Sequence, residues 1–318
     1  MIHVRIVTPP DRTEAVLSVL TASPAVVNVI HLPGAARKPD GDVVQCDVAR
    51  EDASLIVGEL RALGIARDGS IALDPIDTSI SAASERAERA AAGLPSDAVV
   101  WERVESVVGE STELSWSFLA FMVIATLLAS IAILLDSPVL LVGGMVVGPE
   151  FGPIAAIAVA LVQRRGGLAR RSLIALVVGF VVAIVAAYVG TELLDAFGII
   201  TDGHTNAVRP FTGFISKPDA LSFLVAYLAG TAGILSLTTS KSAALIGVLI
   251  SVTTIPAAAN MAVAAAESAW TECGEAAAQL GLNLVALLLA GVVTLALQRA
   301  AFSARGRRRA AAERAAPQ

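Results

Sequence analysis

Beyond residue 113 the chain is a series of apolar runs about 20 residues long, the length that crosses roughly 30 Å of bilayer hydrocarbon. Inside lipid every backbone N–H and C=O must be satisfied within the protein, and for runs of this length that means helix. Six spans fit, at 115–135, 138–162, 172–196, 219–238, 242–266 and 276–299. The fourth, rich in Gly, Ser and Thr, also fits a re-entrant path. Hydrophobic residues make up 55% of the 318 and charged residues 16%, too apolar for an ordinary soluble globule.

The charge is divided unevenly. Residues 1–113 carry 10 Lys+Arg against 18 Asp+Glu, a net of −8, and hold no run long enough to span. Residues 114–318 carry 13 against 10. Arg164, Arg165, Arg170 and Arg171 crowd the connection between the second and third spans, and Arg299, Arg305, Arg307, Arg308 and Arg309 follow the sixth. The Asp136-Ser137 turn and the 267–275 connection have no Lys or Arg. Short basic loops mark the cytoplasmic side, which puts both termini inside. Met1 to Val7 has no basic segment leading an apolar core, so no signal peptide is expected. Three Lys against 20 Arg fit a GC-rich bacterial genome and an inner-membrane location.

Residues 1–77 read as a separate α+β domain. Ile2, Val4 and Ile6 alternate as in a strand, and Val16, Leu17, Val19 and Leu20 follow helical spacing up to Ser23-Pro24. Val26–Leu32 and Val43–Val48 form an expected hairpin around a Pro/Gly/Asp-rich connection at 33–42. A helix over 52–63 and a strand over 71–76 complete the order βαββαβ, that of a ferredoxin-like fold resembling sensing domains of the ACT type. Such a domain serves either regulation or oligomerisation. Residues 78–114 read as a polar linker and an amphipathic helix, with Val100, Val104, Val107 and Val108 on one face beside Trp101. That face fits a membrane surface or the soluble domain equally. Residues 115–300 form the membrane domain and 301–318 a basic tail; anionic lipid, and not nucleic acid, is the expected contact of the tail.

The most informative stretch is Val142 to Ile154, VGGMVVGPEFGPI. Gly144, Gly148 and Gly152 recur every four residues, a small-residue face on which another helix packs closely. Pro149 and Pro153 each remove a donor and obstruct a carbonyl four residues earlier, so the second span is expected to break between Gly148 and Pro153. Glu150 lies between the prolines, where a carboxylate in mid-span costs about 2.5–3.5 kcal/mol on insertion scales. It marks either a functional polar site or a loop dipping in from the cytoplasm. The fifth span carries a counterpart: Ser242 opens it as Ser137 opens the second, and Pro256 is surrounded by Thr253, Thr254 and Asn260. Proline-interrupted segments in halves of opposite orientation are a transporter signature and suggest a 3+3 inverted repeat.

Three further sequences in the first half and three in the second carry a family resemblance: ATLLASIA (125–132), SPVLLVGGM (137–145) and GPEFGPI (148–154), then KPDAL (217–221), AGTAG (229–233) and IGVLI (246–250). Over roughly 115–300 the chain resembles domain-of-unknown-function family 389, hydrophobic membrane proteins of bacteria and archaea. The family tends to have an apolar residue where Glu150 stands and a double Pro where this chain has Pro256 alone. An Arg expected before Pro218 is missing, with Arg209 or Lys217 available to substitute. The resemblance implies a membrane protein and no particular activity.

Other signals are weak. His3, His31 and His204 are scattered, Cys46 and Cys273 lie in different regions, and no metal-ligand spacing, phosphate-binding glycine loop or catalytic triad is visible. The residues at 199–218 form a lid or a long connection. The chain is therefore expected to need no cofactor and not to be an enzyme. The sequence points to a secondary transporter or channel for a small solute or ion, or to a membrane-anchored sensor or scaffold. A homo-oligomer fits either, because the glycine-rich spans pack closely.

Overall fold

The computed structural model describes residues 1–76, 78–91, 99–110, 112–199, 219–239 and 246–315. The chain divides into two compact units, one built on Met1–Val104 and the other on Glu105–Leu237 and Lys241–Arg299.

In the first unit β1 (Ile2–Thr8), α1 (Thr13–Ala22), β2 (Val26–Arg37), β3 (Asp40–Val48), α2 (Ala53–Ala62), α3 (Ile65–Asp68) and β4 (Ser70–Pro75) follow in order. The sheet runs β2-β3-β1-β4 and every pairing is antiparallel. Register sets Ile2 against Val48, Val4 against Cys46 and Ile6 against Val44, so the alternating residues of two strands share one buried face. Val16 and Leu20 of α1 and Ile56 and Leu60 of α2 close over that face. Burial there pushes the Cys46 thiol up to about 12.

The hairpin is longer than its composition suggests, because β2 runs through Pro33 and Gly34 to Arg37. Register shifts between Val27 and Ile30 and between Leu32 and Ala36 absorb these residues as bulges. Asp42 fixes the second bulge, accepting from the Gly34 N–H at 2.8 Å and from the Thr13 hydroxyl at 2.7 Å. Those two bonds, the Gly34 N–H foremost, hold its carboxyl below the usual range.

Two helices occupy the expected linker. In α4 (Ala82–Ala90) the Ser81 side chain caps the first turn by accepting from Ala83 and Ser84 N–H. In α5 (Trp101–Glu110) Val104 and Val108 are buried, as is Val100 just before it, whereas Val107 is exposed. The start of α5 packs on the sheet unit. Val100 joins its core, Trp101 N–H donates to Ser54 Oγ at 3.1 Å, and Ser54 Oγ donates to Glu102 at 2.7 Å.

The second unit is helical: α6 (Trp116–Leu134), α7 (Pro138–Val147), α8 (Phe151–Gln163), α9 (Gly166–Ala196), α10 (Ala220–Thr238), α11 (Ile246–Ala266) and α12 (Trp270–Ala315). Among the described residues α6, α9, α10 and Trp270–Phe302 of α12 are long and apolar enough to cross a membrane, and α7 with α8 makes a fifth candidate bent by 52°. The expectation of six spans is thus met for four or five. Part of the remaining one, 242–245, lies outside the described residues, as do the connection at 200–218 and its His204, Arg209 and Lys217.

One boundary differs from the sequence reading. Arg164 adopts φ 59° and caps α8, its N–H and that of Arg165 returning to the carbonyls of Leu161 and Ala160. Only Arg164 and Arg165 then form the turn, and Arg170 and Arg171 ride on α9. α12 carries the expected sixth span, its apolar part running over Trp270–Phe302. The Ala- and Arg-rich tail holds strong helix formers, and helix continues to Ala315.

α8 and α11 lie deepest. Every residue from Pro153 to Ala160 and from Thr254 to Asn260 is buried, as expected of helices enclosed on all sides. Close approach depends on small residues: a Cβ on Gly144 would meet the Ala125 carbonyl oxygen at 3.0 Å, and one on Gly291 would meet Ala158 at 2.9 Å.

Candidate functional site at a helix break

The break is built by three residues. Pro149 cannot donate to the helix, and its ring disfavours helical backbone at the residue before it. Gly148 accordingly turns extended, φ −64° and ψ 125°, and α7 ends at Val147. Glu150 returns to helical angles and α8 starts at Phe151. Pro153 contributes less than its sequence context suggests. It is the third residue of α8, in the first turn, where a backbone N–H has no acceptor within the helix. The expected face of Gly144, Gly148 and Gly152 is likewise divided. Gly144 lies within α7 against α6, while Gly148 is the cap of α7 and Gly152 belongs to the first turn of α8.

Glu150 has no solvent exposure, and neither has Thr254 on α11. The Thr254 hydroxyl donates to Glu150 Oε1 at 2.8 Å, across 104 residues of sequence. The two segments singled out by composition therefore meet at their polar side chains. Pro256, two residues further on, does not interrupt its helix: α11 is continuous from Ile246 to Ala266. It leaves the Val252 carbonyl without the usual helical donor and goes no further. The side chain of Thr253 lies outside the described residues.

Asn260 is buried but belongs elsewhere. Its amide donates to Glu272 Oε1 at 3.2 Å, at the start of α12. Six residues separate it from Thr254, about 9 Å along a helix. Gln279, Asn283 and Thr294 are also buried in α12, the side chains of the first two 3.5 Å apart. Sequence reasoning passed over Glu272, Gln279 and Asn283, although their spacing of seven and four places them on one helical face. In α6, Thr126 and Ser130 are buried too, but each donates to the carbonyl four residues back within its own helix. Among the described residues no group of three or more His, Cys, Asp or Glu could hold a metal ion. Glu150 and Thr254 thus offer a carboxyl and a hydroxyl in an apolar interior, chemistry suited to a proton or a small polar ligand.

Apolar helices of span length around a buried, broken pair are compatible with a helical membrane protein, by length and composition. Residues 145–289 match the family model described as Domain of unknown function (DUF389), and this stretch is similar to that family. The match begins in the last turn of α7 and takes in Glu150, Thr254 and Asn260; the 125–132 motif and nearly all of 137–145 precede it. No curated protein and no solved structure matches the chain significantly.

Proposed function

We propose that the protein is a secondary transporter or channel for a small solute or ion, with Glu150 and Thr254 as its polar centre. The bond between these two buried side chains carries the reading. An ionisable residue inside a membrane bundle is expensive to keep, and such residues concentrate on ion and proton pathways. The helix break supports the same reading, because irregular backbone at membrane depth belongs where protein or a cavity supplies its partners. On this reading the second and fifth spans descend from an inverted repeat and six spans cross a bacterial inner membrane. Both termini are cytoplasmic, and the chain works as a homo-oligomer without enzymatic chemistry or a cofactor. The ferredoxin-like, ACT-type unit regulates it.

Reconstituted protein screened across ions and small metabolites is expected to show flux that Glu150→Gln lowers by roughly tenfold or more, the loss of one or two kcal/mol at a required group. Flux that survives the substitution unchanged removes Glu150 from the mechanism.

One observation favours a sensor or scaffold instead. Helices cover one face of the sheet, and the other face presents His3, Arg5 and Asp47, the first and last paired at 2.8 Å. Thermal-shift screening of residues 1–104 against amino acids and nucleotides separates the two: a ligand shift here with no flux in liposomes selects the sensor.

A further inference from the structure

An apolar groove of about 690 Å³ runs between α8, α9 and α12. Leu161, Leu173, Val177, Phe180, Leu284 and Leu288 are among its walls, and Arg170 is its one charged lining residue. Along α9 it extends from Arg170 to Ile184, 14 residues or about 21 Å, against about 15 Å of hydrocarbon in one leaflet. α9 itself is 31 residues, about 46 Å, longer than a hydrocarbon core of about 30 Å, and the cost of a charge in hydrocarbon favours leaving the arginines of its first turns outside that core. Arg170 therefore sits where the groove reaches the headgroup layer.

The charge at that end is unbalanced. Arg164, Arg170 and Arg171 make no ion pair among the described residues, Arg165 pairs with Glu105 at 3.0 Å, and Arg299 donates to the Val162 carbonyl. The turn after α8 and the start of α9 thus carry four arginines, of which Arg165 alone is ion-paired among the described residues.

We infer that the groove holds an acyl chain of an anionic phospholipid whose phosphate is bound by Arg170. A planar guanidinium matches phosphate oxygens in pairs, and basic pockets between membrane helices recognise anionic headgroups. A zwitterionic lipid would fill the apolar walls equally well but would leave the arginine cluster uncompensated. The site is separate from Glu150 and does not depend on a transport role.

Native mass spectrometry of the full chain in detergent, titrated with phosphatidylglycerol or phosphatidylcholine, tests this. Phosphatidylglycerol is expected to be retained roughly fivefold more strongly, the value of one basic side chain at a membrane surface. Arg170→Gln should bring it down to the phosphatidylcholine level, and Val177→Trp, which fills the groove from an exposed position, should reduce both lipids. Elution of each variant at the native volume shows that it has folded. Equal retention of the two lipids, or a preference that survives Arg170→Gln, overturns the proposal. So does a Leu173→Cys variant that forms intermolecular disulfides in liposomes whatever the lipid, since a second copy of the chain would then occupy the groove.

Discussion

Pro149 and Pro256 lie in similarly apolar stretches, yet one ends a helix and the other is carried inside one. The difference is in their neighbours. Gly148 precedes Pro149 and gives up helical angles readily, at a helix propensity about 1 kcal/mol below alanine. Ile255 precedes Pro256, and Ala257, Ala258 and Ala259 follow it, all fully buried in the bundle. Packing against α6, α7 and α9 holds α11 in one piece. A proline marks where a helix can open; the residues beside it and the helices around it decide whether it does.

The largest effect that would sharpen this contrast concerns the packing of α7. Gly144→Leu places a side chain against the α6 backbone and should destabilise the protein by about 1–3 kcal/mol, whereas Gly143→Leu, whose Cβ meets nothing within 4 Å, should be close to neutral. Unfolding in mixed micelles measures both; equal losses would mean that α7 is not held where its glycines indicate. Next in size is the bond joining the two segments. Thr254→Val should cost about 1 kcal/mol, and in a double-mutant cycle with Glu150→Gln the two effects should fail to add. The smallest effect is expected at Pro256. Because α11 is already helical there, Pro256→Ala should change stability by less than about 1 kcal/mol in either direction. A large loss would show that the proline shapes the site after all.

Where the sequence spoke clearly, a local rule was at work. Gly148-Pro149 announced the break because the chemistry that ends a helix lies within two residues, and the alternation of Ile2, Val4 and Ile6 announced a one-sided strand. The pairing of Glu150 with Thr254 was visible only as two polar candidates in separate spans. Nothing local singles out Thr254, whose bond to Glu150 depends on the rotation of α11 about its axis, which tertiary packing sets. Asn260 was legible only in part for the same reason: it shares a helix with Thr254, but it donates to Glu272, from a stretch read as a plain connection.

The break also has an electrostatic consequence. α7 ends and α8 begins within three residues, so two helix dipoles meet there: about −0.5 charge at the end of α7 and about +0.5 at the start of α8. The two nearly cancel, which leaves the side chain between them to set the sign of the local field. With Glu150 ionised the seam carries a net charge of about −1 and attracts cations; with Glu150 protonated it is close to neutral. A single proton on Glu150 therefore decides whether this fully buried seam is negative or close to neutral.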